Sequence, residues 1–173
     1  MSLDLHLYDK NTDEVAHMNW LRNPFGLCQW AEDNVEPSNP TLFEVCNKWA
    51  YNKGKNVDRP QFRRVVLEYW ERIKKLEHGF FKFSSLSQYR QFVEPIIHLM
   101  PRRKLSYSDA MEIVGEKRDA NSVYIPMEHF NVKDDWDGRN NHYTLEKYKE
   151  WFKELVEFAE LLQDKDLEFY CSN

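Results

Sequence analysis

Hydrophobic and polar positions alternate strictly at the start of the chain. In SLDLHLY, Leu3, Leu5 and Leu7 fall on one side and Asp4, His6 and Tyr8 on the other. That is the period of a half-buried strand. DKNTDE reads as a turn. From Val15 to Leu21 the pattern extends into a helix, which Pro24 restarts or kinks, with Asn23 as N-cap and Pro24 at the first helical position. Along PFGLCQWAEDNV, Phe25 or Gly26, Leu27 and Trp30 share a face, and EPSNP breaks the chain.

Helical spacing takes over after the break. A helix is expected from Asn39-Pro40, with Leu42, Val45, Cys46 and Trp49 inward and Gly54 as its stop. The next has Asp58 before Pro60 and Gly79 at its end. Its inward stripe is Phe62, Val65, Val66, Tyr69, Ile73 and Leu76, opposite a solvated face of Arg63, Arg64, Arg72, Lys74 and Lys75. FFKFS predicts a short strand. SLSQYRQFVEPIIHLM predicts a helix that Pro95 breaks near Glu94. PRRK is a loop, SYSDAMEIVGEKRD a short helix capped by Ser106 or Ser108, and NSVYIPMEHFNV extended, with Pro126 arguing for an edge strand or none.

KDDWDGRNNHY is polar and turn-rich. It delivers Thr144 as N-cap of the clearest helix, whose stripe is Leu145, Tyr148, Phe152, Leu155, Val156, Ala159 and Leu162. LEFYC closes as a strand able to pair with LDLHLY. The expected fold is α+β: one compact domain over residues 1–173, mostly helical, with five or six helices around a small sheet that joins the N- and C-terminal strands.

Composition narrows the class. The chain is 42% hydrophobic and 15% aromatic with only 5 glycines among 173 residues, which favours a packed domain over disorder. No apolar run approaches the ~20 residues of a membrane span. The N-terminus has neither a basic region nor an apolar stretch of the kind that directs secretion. Cys28, Cys46 and Cys171 are an odd number at no metal-like spacing, which fits a reduced, cytoplasmic protein.

The net charge of −5 is uneven. Lys53 to Lys104 holds 13 Lys or Arg against 5 Asp or Glu, a balance of +8, leaving −13 on the remainder. A basic middle between acidic ends is either an anion-binding face or two halves that neutralise each other across packed helices. Arg59, Arg63, Arg64, Arg72, Lys74 and Lys75, with Tyr69 and Trp70 among them, mix cations and stacking rings as binders of single-stranded nucleic acid do. The amphipathic stripe accounts for the same pattern.

Familiar machinery is missing from the sequence. It contains no G-x-G-x-x-G, no Walker loop and no G-x-S-x-G elbow. The six histidines form neither H-x-H nor H-x-x-x-H pairs, and C-x-x-C does not occur. In DDWDGRNN, aligning Gly138 with the glycine of an EF-hand puts Lys133 and Thr144 where carboxylates are required, which excludes that motif. A looser metal site through Asp134, Asp135 and Asp137 competes with an ordinary solvated turn. HYT at His142 is a single copy of a motif that two-histidine phosphoesterases need twice. Neither a catalytic set, a metal nor a cofactor is assigned.

The opening block, MSLDLHLYDK followed by DEVAHMNWLRNPFGLCQWAEDNV, resembles a group of small proteins found largely in phages and prophages. These begin M-S-L-D with an alternating strand. An aromatic-Arg-Lys-Ala-Asn-Ala-Ile-His-x-Trp-Phe helix and Asp-Asn-Val follow. Arg22 falls on the arginine, Asn23 on the lysine, Leu27 on the isoleucine and Trp30 on the tryptophan, and Asp33-Asn34-Val35 matches as it stands. Leu21, Cys28 and Ala31 depart from the aromatic, histidine and phenylalanine positions. The resemblance covers about the first 35 residues.

It implies an accessory protein that acts by binding in the bacterial cytoplasm, blocking or sequestering a host protein or a defence component. A second expectation is a nucleotide or nucleic-acid binder. There Arg22, Asn23, His6, Tyr8 and Trp30 would form a small anionic-ligand pocket at a helix N-terminus. Alternatively Arg22 pairs with Asp4 or Glu14 and fixes a corner. A third is a hydrolase using His6, His142 or the Asp134–Asp137 turn.

Overall fold

The computed structural model describes residues 4–22, 24–46, 57–94, 122–130 and 143–172. In chain order its elements are β1 (Asp4–Asp9), β2 (Glu14–Arg22), α1 (Pro24–Asn34), helical residues 42–46 and α2 (Arg59–Ile73). After these come β3 (Phe80–Phe83), α3 (Leu86–Val93), β4 (Val123–Pro126), a 3-10 turn over Met127–Phe130, α4 (Leu145–Leu161) and β5 (Leu167–Ser172). The fold is α+β, as the periodicities predict. Its residues gather into two compact units, residues 1–76 with 149–173 and residues 77–148, the second boundary falling within α4.

The first unit begins with a hairpin whose turn is written in side chains. The Asn11 N–H donates to Asp9 Oδ1 at 2.8 Å and the Asp13 N–H to the Asp9 carbonyl at 3.1 Å. Asp13 takes φ 59°, a left-handed conformation that aspartate tolerates. The returning segment is strand β2, where the sequence predicts a helix over Val15 to Leu21. Between the Leu5–Leu21 and Tyr8–Val15 pairs, β1 advances three residues and β2 six, with register shifts on both sides of Leu7. Extra residues of this kind erase the two-residue alternation that marks a strand, and pairing with β1 decides the conformation.

β5 pairs antiparallel with the other side of β1 in six unbroken register pairs, from Asp4–Ser172 to Asp9–Leu167, giving the order β2-β1-β5. The expected joining of the terminal strands is thus present. Leu7, on the inward side of β1, is fully buried, whereas His6 and Tyr8 are half-buried.

Three helical segments and the C-terminal part of α4 supply the rest of this unit's core. α1 starts at Pro24 as expected and buries Leu27, Cys28, Trp30 and Ala31. Phe25 is half-buried and Gly26 exposed, so Cys28 and Ala31 complete the inward face. The 42–46 stretch starts after Thr41 rather than at Asn39-Pro40, whose peptide bond is cis. Thr41 and Glu44 cap it reciprocally: the Glu44 N–H donates to Thr41 Oγ1 (3.2 Å) and the Thr41 N–H to Glu44 Oε2 (2.8 Å). Trp49 and Gly54 lie outside the described residues.

Asp58 caps α2 by accepting from the Gln61 N–H at 3.0 Å, and Phe62, Val65, Val66, Tyr69 and Ile73 are buried as the stripe predicts. α2 stops at Ile73, well short of Gly79, and Leu76 is only half-buried. Lys149 Nζ donates to the carbonyls of Lys74 (3.3 Å) and Leu76 (2.6 Å), so a side chain of α4 satisfies carbonyls that follow the helix. Phe152, Leu155, Phe158 and Ala159 of α4, with Leu162 just after it, are the buried contribution here, and Phe152 is stacked on Trp70 at 6.2 Å. Val156 is half-buried, and Phe158 takes the inward place expected for it.

The second unit is built on the antiparallel β3–β4 pair, with Phe83, Val123 and Ile125 at its centre. Pro126 ends β4 opposite Phe80, a strand terminus where a missing N–H costs no ladder bond. Ser85 caps α3 by accepting from the Gln88 N–H at 3.1 Å, and the helix runs to Val93 with Glu94 as C-cap, matching the expected break. Thr144 caps α4 through Oγ1, which accepts from the Lys147 N–H at 3.2 Å. Gly79 has a packing role in place of the expected helix stop. A Cβ there would sit 2.5 Å from Met127 Sδ and 3.1 Å from Leu145 Cδ1, and its carbonyl accepts from the Met127 N–H at 2.9 Å. None of the described helices is long and apolar enough to cross a membrane.

Candidate functional site

Of the five residues expected to bind a small anion, β1 carries His6 and Tyr8 on the face opposite Leu7. Their partners across β5 are Tyr170 and Glu168. Lys10 Nζ lies 3.9 Å from Glu168 and donates to the Lys165 carbonyl at 2.9 Å, closing that end of the sheet. Arg22 is the register partner of Asp4 at the far end of the hairpin, so the strands bring these two residues opposite each other. Asn23 lies outside the described residues. Trp30 is 4% exposed, packed into the core, and its carbonyl accepts from Asn34 Nδ2 at 2.8 Å.

A second place to seek an anion is the N-terminus of the 42–46 stretch, where backbone N–H groups converge. All four are taken by the protein's own side chains. The Thr41 and Glu44 groups are spent on the reciprocal cap. The Phe43 N–H donates to Glu32 Oε1 at 2.7 Å, and the Leu42 N–H donates to the Tyr69 hydroxyl at 3.4 Å. That hydroxyl also accepts from the Ser38 N–H at 3.3 Å. Burial pushes the Tyr69 hydroxyl's pKa up, against the two backbone donors that pull it down.

The basic residues of α2 and its C-terminal turn are held in a similar way. Arg59 Nη1 donates to the carbonyls of Leu162 (2.7 Å) and Asp164. Arg63 Nε meets Glu160 at 2.7 Å, and Arg64 Nη1 meets Glu68 at 2.7 Å. Arg72 Nη1 donates to the Glu36 carbonyl (2.6 Å) and Ser38 Oγ (3.1 Å), with its guanidinium 5.8 Å from the Tyr69 ring centre. Lys74 meets Glu71, and Lys75 is exposed. The electrostatics agree with this pairing. Glu68 titrates below the usual carboxylate range through its hydrogen bond from Arg64, then that from Ser38, and Glu71 does so through Lys74.

Periodicity alone did not bring out one further constellation. Cys28 Sγ and Cys46 Sγ lie 2.9 Å apart, both residues fully buried, on the inward faces of α1 and the 42–46 stretch. Burial, then contact with Cys28, then the nearby Glu32 charge push the Cys46 thiol well up. The available signal was that Cys46 shares a stripe with Leu42 and Val45 while Cys28 follows Leu27 on consecutive helices.

In the other unit the reactive-looking groups are phenols in an aromatic cluster. Phe81 packs edge-on to Tyr148 (5.4 Å) and Tyr143 (6.1 Å), and Phe83 edge-on to Tyr89 (5.4 Å). Burial raises the pKa of all three tyrosines, most strongly that of Tyr148, where the neighbouring Tyr143 adds to it. His142 and the Asp134–Asp137 turn lie outside the described residues. Among the described residues no three His, Cys, Asp or Glu side chains are grouped to hold a metal ion.

No family model matches this chain, and neither a curated protein nor a solved structure matches it.

Proposed function

We propose that this chain is an accessory protein of the phage and prophage kind, acting in the bacterial cytoplasm by binding and blocking a host or defence protein. The observation that carries the choice of a protein partner over a nucleic acid is the internal use of five basic residues of α2 and its C-terminal turn. Arg59, Arg63, Arg64, Arg72 and Lys74 donate to carboxylates and carbonyls of the chain itself. A phosphate backbone would have to compete with those partners for each donor. Among the described residues β5 is paired on one side only. Its outer row of backbone groups suits strand addition by a partner.

The test is recovery of the tagged chain from bacterial host lysate, with nuclease present, at low and high salt, followed by native mass spectrometry. The proposal expects a stoichiometric protein partner retained at both salt concentrations. Nucleic acid whose retention collapses with salt would sink it. So would a bound mass of a few hundred daltons that is lost in Arg22→Ala, which would restore the nucleotide pocket.

A further inference from the structure

We propose that Cys28 and Cys46 form a site of oxidative modification: a low-molecular-weight disulfide such as oxidised glutathione converts them into an intramolecular disulfide. Their sulfurs are 2.9 Å apart and both residues are fully buried. A bonded pair rests at roughly 2.04 Å, so less than about 1 Å of closure separates the two states. The inward faces of α1 and the 42–46 stretch already aim both side chains at each other, and Glu32 of α1, accepting from the Phe43 N–H at 2.7 Å, ties the two segments together.

The chemistry balances without any other group. The thiolate of one cysteine attacks a sulfur of the reagent, forming a mixed disulfide and releasing one reagent thiolate. The second cysteine, as its thiolate, then attacks the protein-side sulfur and expels the other. Two protein thiols and one reagent disulfide become one protein disulfide and two reagent thiols, which take up the two protons. A bulky adduct has no room in the closed core, while the second thiol stands at contact distance, so the mixed disulfide resolves inward. Burial leaves one requirement: the 42–46 stretch must open from α1 before the first attack. Oxidation is therefore slow in buffer and accelerates several-fold in urea concentrations below the unfolding transition. The bond joins residues 18 apart and ties α1 to the segment that follows it.

The experiment uses the full chain carrying Cys171→Ser, so that only the pair remains, equilibrated with a mixture of oxidised and reduced glutathione. The sample is then quenched, unfolded in an alkylating reagent and weighed intact. The expected result is a mass lower by about 2 Da, for two hydrogens lost. No alkylation occurs, a peptide joins Cys28 to Cys46, and the urea midpoint rises and returns after reduction. Two alkylated cysteines, in a mixture that oxidises a reference dithiol, would overturn the proposal, as would a glutathione adduct as the final product. If the Cys171→Ser variant does not fold, peptide mapping of the unaltered chain reads the same linkage, and a link through Cys171 counts against it.

Discussion

Replacing Tyr69 with phenylalanine removes one oxygen from a fully buried side chain and tests whether the first unit is held by its hydroxyl or only by its ring. The ring's packing stays, and so does its position beneath the Arg72 guanidinium. What disappears is the acceptor for two backbone donors, Ser38 N–H at 3.3 Å and Leu42 N–H at 3.4 Å. These distances are longer than the usual 2.9–3.0 Å of such bonds, which puts each at the low end, about 0.5–1 kcal/mol. Phenylalanine escapes the cost of burying a hydroxyl, which offsets about 0.5 kcal/mol. The net loss is about 1 kcal/mol. With a urea slope near 2 kcal/mol/M, the midpoint falls by about 0.5 M at unchanged slope.

Equilibrium unfolding followed by tryptophan fluorescence reads that shift, and amide exchange locates it. Ser38 and Leu42 should lose protection ahead of their neighbours in the variant. A midpoint within about 0.1 M of the parent at equal slope, with both amides unchanged, would refute the assignment of the hydroxyl as their acceptor. A fall of more than about 1.5 M would show that the ring itself had moved.

The other expected outcomes are simpler. Gly79→Ala forces Met127 Sδ aside from a 2.5 Å approach and should cost about 1–2 kcal/mol. The denaturation midpoint checks it, and a neutral result would mean that Met127 has a vacant rotamer. Asp58→Ala leaves the Gln61 N–H at the start of α2 without its acceptor and should cost about 1 kcal/mol, with Asp58→Asn recovering most of it in the same melts. Tyr148 ionises later in the folded chain than in the unfolded one. Its contribution is therefore complete below the unfolded value near pH 10 and declines as pH rises beyond it. Tyr148→Phe should lose less stability than the parent between pH 9 and pH 11, and parallel profiles would contradict that burial.

The sequence was most readable where one physical requirement acts alone. α2 and α4 carry their inward stripes at helical spacing and their caps at Asp58 and Thr144, so their starts and faces follow directly. β1 and β5 alternate because their pairing is regular. Signals failed where two requirements overlapped. β2 pairs with β1 through register shifts, so its residues do not alternate and a helical pattern is read into it. α2 ends where Lys149 reaches the carbonyls that follow it, and nothing near Ile73 announces a lysine 76 positions further along the chain. Gly79 looks like a helix stop because glycine serves both turns and close approaches, and only the 2.5 Å distance to Met127 separates these uses.

The candidate site was harder for a related reason. Charge and aromatic residues say which interactions are possible, whereas folding decides which of them are consumed internally. Arg63 and Glu160 are 97 residues apart in sequence and 2.7 Å apart in space, so a charge count confined to the middle segment misses a carboxylate that folding brings to α2. Trp30 is an expected ligand contact by sequence, yet it serves the core at 4% exposure. Cys28 stands against a second thiol that its own sequence neighbourhood does not reveal. In the proposal above, this dithiol exchanges electrons with a disulfide partner, a chemistry that neither residue's place in the hydrophobic pattern announces. The signal lies in the pairing, because two thiols 18 residues apart in sequence become one site only when α1 and the 42–46 stretch pack together.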